Sequence, residues 1–244
     1  MNRIIFLSLL ILPFMSNAQK KQPKLVVGIV VDQMRYDYLT RYWDKYSEGG
    51  FKKLVNEGYN CKNTHYNYMP TYTGPGHASI YTGTTPENHG IIANNWYDKG
   101  LNSSMYCTED TKVNTVGSST TSGKMSPNNL LGTTITDELK LATTNRGKVI
   151  GMSIKDRGAI LPAGHTANAA YWFHGADEGR FISSTFYLNT LPKWVQDFNN
   201  TAAAESYLKE WNTLYDINTY TESGSDLNAF ESGFKGKETA TFPY

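Results

Sequence analysis

The chain has 244 residues, 39% of them hydrophobic and 18% charged, which is ordinary for a globular protein and enough for one α/β domain with a substantial core. A net charge of +1 and the lack of any dense Lys/Arg stripe argue against a nucleic-acid partner. The two cysteines, Cys61 and Cys107, leave a single disulfide open, since the sequence does not give their separation in space.

The first residues carry an address rather than a fold. Asn2-Arg3 is a short basic start, Ile4 to Met15 is almost wholly apolar, and Ser16-Asn17-Ala18 offers small residues for cleavage, the pattern of a secretory signal peptide over residues 1–18. The apolar run falls short of the ~20 residues needed to span a bilayer, and Pro13 interrupts it. No Cys follows Ala18, so no stable membrane anchor is expected, and residues 19–244 are read as exported, periplasmic or secreted.

Leu25 to Val31 is a continuous apolar, β-branched run, predicted to be a buried strand, and it closes on Asp32. Helices are expected over Tyr36–Tyr46 and Phe51–Val55, the second stopped by Gly58, followed by an alternating strand over Tyr59–Tyr68. After the turn at Pro70, His77 to Thr82 reads as helical, with Pro75 in the first turn where its missing N–H costs nothing. Residues 83–90 read as a loop, and the polar stretch Gly100 to Asn129 as a weakly patterned surface excursion. Leu130–Ala142 is an amphipathic helix and Lys148–Ile154 a second buried strand. Ala170–Phe173 and Phe181–Ser184 are short strands, and Pro192–Asn199 and Ala202–Leu214 are helices. Beyond Asp216 the chain turns polar and irregular. Strands alternating with helices predict an α/β fold with a mostly parallel central sheet flanked by helices.

Two residues stand where such sheets gather chemistry, at a strand's carboxyl end and at a helix entrance. Asp32 follows Val31, and Thr73 opens the turn Thr73-Gly74-Pro75-Gly76-His77. Each has a plainer reading as a helix cap. Taken together they suggest more. A hydroxyl at a helix N-terminus sits where free N–H groups receive an anionic phosphoryl group. A nearby carboxylate can hold the cation that turns that hydroxyl into a nucleophile. Lys155 and Arg157, read alone, are better explained as solvated charges at a strand end.

Several separated motifs, in order, resemble the alkaline phosphatase superfamily. They are Val31-Asp32-Gln33-Met34-Arg35, then Thr73 through Gly83, then Pro86-Glu87-Asn88-His89-Gly90-Ile91, then Asn94-Asn95-Trp96-Tyr97, then Ser153-Ile154-Lys155-Asp156-Arg157-Gly158. The match is nearest to the single-domain bacterial phosphate-irrepressible alkaline phosphatases, relatives of the nucleotide pyrophosphatase/phosphodiesterases. The resemblance implies an alkaline-phosphatase-like fold and zinc-dependent hydrolysis of a small-molecule phosphate monoester through a phosphothreonine. By position, Thr73 would be the nucleophile and, with Asp32, a metal ligand; Asn94, Lys155 and Arg157 would bind the phosphoryl group. It gives His77 and His89 no metal role, placing them in the turn and the loop, and no role to His165 or His174.

The resemblance also implies two zinc ions held by about six ligands, mostly Asp and His. No His follows His174, and neither Asp-His nor Asp-x-x-x-His occurs. Residues 19–244 are therefore expected to be the N-terminal portion of one catalytic domain, C-terminally incomplete and inactive alone. Two other readings stay open: a phosphodiesterase of the same superfamily, and a non-catalytic remnant that binds oxyanions. The sulfatase nucleophile motif is absent from residues 73–77.

Overall fold

The computed structural model describes residues 23–175 and 178–244. The predicted signal segment, residues 1–18, lies outside them. The chain divides into two units, Met1–Val31 and Asp32–Tyr244. In the first, the described residues form no ladder, and Leu25, Val26, Val27 and Ile29 are exposed. The strand expected over Leu25–Val31 is thus not formed, because an apolar extended segment becomes a strand only when neighbours take up its backbone N–H and C=O groups.

The second unit opens with a short helix α1 (Tyr38–Arg41), a 3-10 turn (Trp43–Lys45) and α2 (Gly50–Glu57). Gly58 ends α2, as expected. Residues 59–68 are exposed or half-buried and form no strand, so that expectation fails too. Helix α3 (Thr73–Thr82) follows, and Gly83 caps it at φ +69°, a backbone conformation open to glycine at little cost. The expected loop after it contains one helical turn, α4 (Pro86–His89), started by Pro86 in the first position.

Residues 100–129 are more ordered than their polarity suggests. A hairpin of β1 (Asn95–Asp98) and β2 (Ser103–Tyr106) leads to the two-residue strand β3 (Thr115–Val116). Cys107, Thr108, Val116 and Ser126 are buried. The buried hydroxyls are paid for by carboxylates: Thr108 Oγ1 donates to Asp156 Oδ1 at 3.0 Å and Ser126 Oγ to Asp110 Oδ2 at 2.6 Å.

Helix α5 (Ile135–Ala142) begins later than the apolar pattern, because Thr134 and Asp137 form a reciprocal capping box. Then come β4 (Ile150–Ser153), α6 (Asp156–Ala163), β5 (Ala169–His174), β6 (Arg180–Ser184) and α7 (Lys193–Asn200). Beyond α7, the expected helix over 202–214 reduces to a 3-10 turn, Glu205–Tyr207; Ala202 sits at φ +50°, outside the helical region.

The main sheet has the order β3-β6-β5-β4. Strands β4 and β5 are parallel, joined by α6, whereas β6 pairs antiparallel with both β5 and β3. The fold is α/β as expected, with the parallel pairing confined to the βαβ unit among the described residues. Helix α6 packs on β4 and β5 and also on α3, so it is the piece that couples the sheet to the Thr73 turn. Ile160, Ala159 and Ala163 of α6 meet Ala170, Trp172 and Ile182 in one core, while Leu161 faces Ala78, Ile91 and Cys107 in another. Burying a side chain such as Ile160 contributes about 1.5–3 kcal/mol. Among the described residues no helix is long and apolar enough to cross a membrane.

Candidate active site

Thr73 is the first residue of α3 and its side chain caps nothing. Instead its hydroxyl donates to Asp32 Oδ2 at 3.2 Å, across 41 residues of sequence. The cap reading of Thr73 therefore falls. The next residue is held from the other side: Gly74 N–H donates to Asn94 Oδ1 at 2.7 Å. With its oxygen so engaged, Asn94 has its NH₂ donors left over. A Cβ on Gly74 would lie 3.1 Å from Asn94 Oδ1, 3.2 Å from the Ala93 carbonyl oxygen and 3.4 Å from Cys107 Sγ. Glycine is what lets the turn seat this close to its floor.

The histidines brace the turn. His77 is buried, and its Nδ1–H donates to the Thr73 carbonyl at 2.8 Å. His89 is fully buried; its Nδ1 accepts from Ile91 N–H at 3.2 Å, so Nε2 carries the proton toward Ser79 Oγ at 2.9 Å. Burial holds its pKa below the usual value, keeping the ring neutral.

Arg157 belongs to the first turn of α6 and is half-buried. Its Nη1 donates to the Tyr106 hydroxyl at 2.7 Å, and that hydroxyl donates to Asp156 Oδ1 at 2.6 Å. Burial alone would lower the Arg157 pKa, but the bond to Tyr106 and the charge of Asp156 raise it above its ordinary value. The Tyr106 phenol is pushed up, first by burial and then by Asp156. Cys107 beside it is likewise driven by burial to about 12, leaving an inert thiol. Cys107 is buried, Cys61 exposed, and both are free. Lys155, just before α6, is exposed.

Asp32, Thr73 and Asn94 are thus brought to one turn, with Arg157 on the helix packed against it. The roles of Tyr106, Thr108 and Asp156 were not read from the sequence; Asp156 lies inside a quoted motif, but nothing local marks Tyr106 as its partner. Zinc would find two oxygen donors here, the Asp32 carboxylate and the Thr73 hydroxyl. Among the described residues no group of three or more His, Cys, Asp or Glu side chains is placed to hold a metal. Zinc sites normally take at least three protein ligands, so these two fit part of a coordination shell.

The fold has counterparts of known structure. A crystal structure of wild-type alkaline phosphatase PafA superposes with a TM-score of 0.88 at 53% identity, over 91% of this chain and 43% of that one. The fold is therefore that of an alkaline phosphatase over the matched part. Residues 26–233 match the family described as type I phosphodiesterase / nucleotide pyrophosphatase, and the chain belongs to that family. Among curated relatives, alkaline phosphatase PhoV of Synechococcus elongatus is 54% identical over 94% of this chain. Alkaline phosphatase PafA of Elizabethkingia meningoseptica is 52% identical over 98% of it. A protein of Myroides odoratus named calcium-transporting ATPase is 53% identical over 94% of it. The chain spans 42 to 44% of the length of these three relatives.

Proposed function

We propose that this chain is the nucleophile-bearing part of an exported, zinc-dependent phosphate monoesterase that works through phospho-Thr73. The observation that carries the proposal is the Thr73 hydroxyl held 3.2 Å from the Asp32 carboxylate at the start of α3. The Thr73 hydroxyl releases its proton to solvent as its oxygen attacks phosphorus, the Oγ–P bond forms as the ester P–O bond breaks, and the leaving alkoxide takes up a proton from solvent. Water then cleaves the phosphothreonine, releasing inorganic phosphate and restoring the hydroxyl. Zinc bound at Asp32 and Thr73 would supply Lewis acidity, lowering the hydroxyl pKa and drawing charge from the phosphoryl oxygens. With Gly74 N–H taken by Asn94 and no N–H on Pro75, the NH₂ of Asn94 receives an oxygen of the transferring group, and Lys155 and Arg157 supply positive charge. The names of the two alkaline phosphatases among its relatives support the reaction class.

Two charges are more than a diester needs. A monoester dianion carries one more negative charge, which a Lys and Arg pair rewards. The family description favours the second reading, a phosphodiesterase. Both are tested on the full-length protein. Thr73→Ala is expected to lower monoester kcat/KM by at least about 10³-fold; near-parental turnover would sink the nucleophile assignment. Lys155→Ala is expected to lower monoester turnover selectively, and an unchanged monoester-to-diester ratio would favour the diesterase.

A further inference from the structure

Arg157 and Asp156 are adjacent, yet no ion pair joins them among the described residues. The Tyr106 hydroxyl stands between them, accepting from Arg157 Nη1 at 2.7 Å and donating to Asp156 Oδ1 at 2.6 Å. Thr108, fully buried, donates to the same carboxylate oxygen at 3.0 Å. A direct guanidinium–carboxylate fork would occupy two of the five N–H donors and cancel the charge locally. Routing the contact through a neutral phenol fixes the guanidinium with one donor and leaves its positive field for an anion. The Arg157 Cζ also lies 5.8 Å from the centroid of the Tyr106 ring, a second restraint from the same side chain.

The tyrosine is itself tied to the Thr73 turn. Cys107 N–H donates to the Asn94 carbonyl at 3.0 Å, and the Asn129 amide donates to the carbonyls of both Tyr106 and Cys107 at 3.3 Å. Cys107 in turn lies under Gly74. The end of β2 therefore joins the residue that holds Gly74 to the residue that holds Arg157.

We propose that Tyr106, backed by Asp156 and Thr108, is a positioning residue that sets Arg157 for the dianionic phosphoryl group and so biases the site toward monoesters. This rests on the function proposed above. On the full-length protein, Tyr106→Phe is expected to lower kcat/KM for p-nitrophenyl phosphate about tenfold. Turnover of bis(p-nitrophenyl) phosphate, which lacks the second charge, should hold. Asp156→Asn should act in the same direction. In an Arg157→Ala background Tyr106→Phe should add nothing, because the residue it positions is gone. Inorganic phosphate binding, measured by calorimetry, should weaken with Tyr106→Phe and again not further beyond Arg157→Ala. Equal losses on both esters, or additivity with Arg157→Ala, would overturn the inference. So would Arg157→Ala losing monoester turnover while Tyr106→Phe and Asp156→Asn keep it. Should the protein hydrolyse neither ester yet show the phosphate-binding pattern, the proposed function and the monoester bias fall and the positioning of Arg157 by Tyr106 stands. If Arg157→Ala changes neither turnover nor phosphate binding, both fall.

Discussion

Single residues carry most of the cost of building this site. Gly74→Ala would press a methyl group against a backbone carbonyl and an amide already committed to a hydrogen bond. We expect a loss of about 1–2 kcal/mol, read as a melting temperature lowered by about 2–4 °C per kcal/mol in a protein of this size class. Away from the site, Asp137 is buried and accepts from Thr134 N–H, from Thr166 N–H and from both threonine hydroxyls. Burial would raise its pKa, but these bonds and His165 outweigh burial and hold it well below the carboxylate range. His165 faces two acceptors, Asp137 Oδ2 at 3.4 Å and the Leu130 carbonyl at 3.1 Å; the bond to Asp137 raises its pKa despite burial. The signs follow. Asp137 stabilises above its unfolded pKa near 4 and loses that contribution as pH falls. His165 stabilises below about 6.5 and loses its contribution as pH rises through the raised value. Asp137→Asn is expected to cost on the order of 3 kcal/mol, and melts across pH should show the gap to the parent widest between about pH 4 and 6.5.

At the scale of elements, strands β4, β5 and β6, helices α2, α3 and α7 and most of α5 were legible, because apolar spacing and glycine stops are local signals. The candidate site rests on the resemblance, which points to Asp32, Thr73, Asn94, Lys155 and Arg157; the structure brings Asp32, Thr73 and Asn94 to one turn. Helix α6 was not legible, since Gly158 and Pro162 both disfavour helix. Its reason is tertiary: α6 packs on β4, β5 and α3, and a Cβ at Gly158 would lie 3.1 Å from Ser153 Cβ, so glycine eases the close return after β4. The converse error is Leu25–Val31, where a strong local pattern lacks the ladder that would make it a strand. Helix α6 also lies close on β4. A side chain at Gly151 would overlap the Ala159 carbonyl oxygen and approach Ala163 Cβ to 2.9 Å. Gly151→Val is therefore expected to cost at least about 2 kcal/mol, seen as a lower urea midpoint with the slope unchanged.

At the scale of the molecule, much apolar surface is uncovered. Among the described residues of the larger unit β4 has a single neighbour, and Ile150, Met152 and Ile154 are exposed. An apolar cavity of about 290 Å³ opens between the sheet and α7, lined by Met152, Tyr171, Phe181, Trp194, Val195 and Phe198. The 244-residue chain expressed alone is expected to bind ANS strongly and to associate, with negligible monoesterase activity; a monomer with low ANS fluorescence and zinc-dependent turnover would refute this. The thiol beneath Gly74 offers a different view of the same molecule. Cys107 is fully buried while Cys61 is exposed. In the native protein an alkylating reagent can modify Cys61 at once but must wait for the Thr73 turn to lift before it finds Cys107. The rate of that second, slow modification is a stopwatch on how often the floor of the site breathes, and it needs neither metal nor substrate to run.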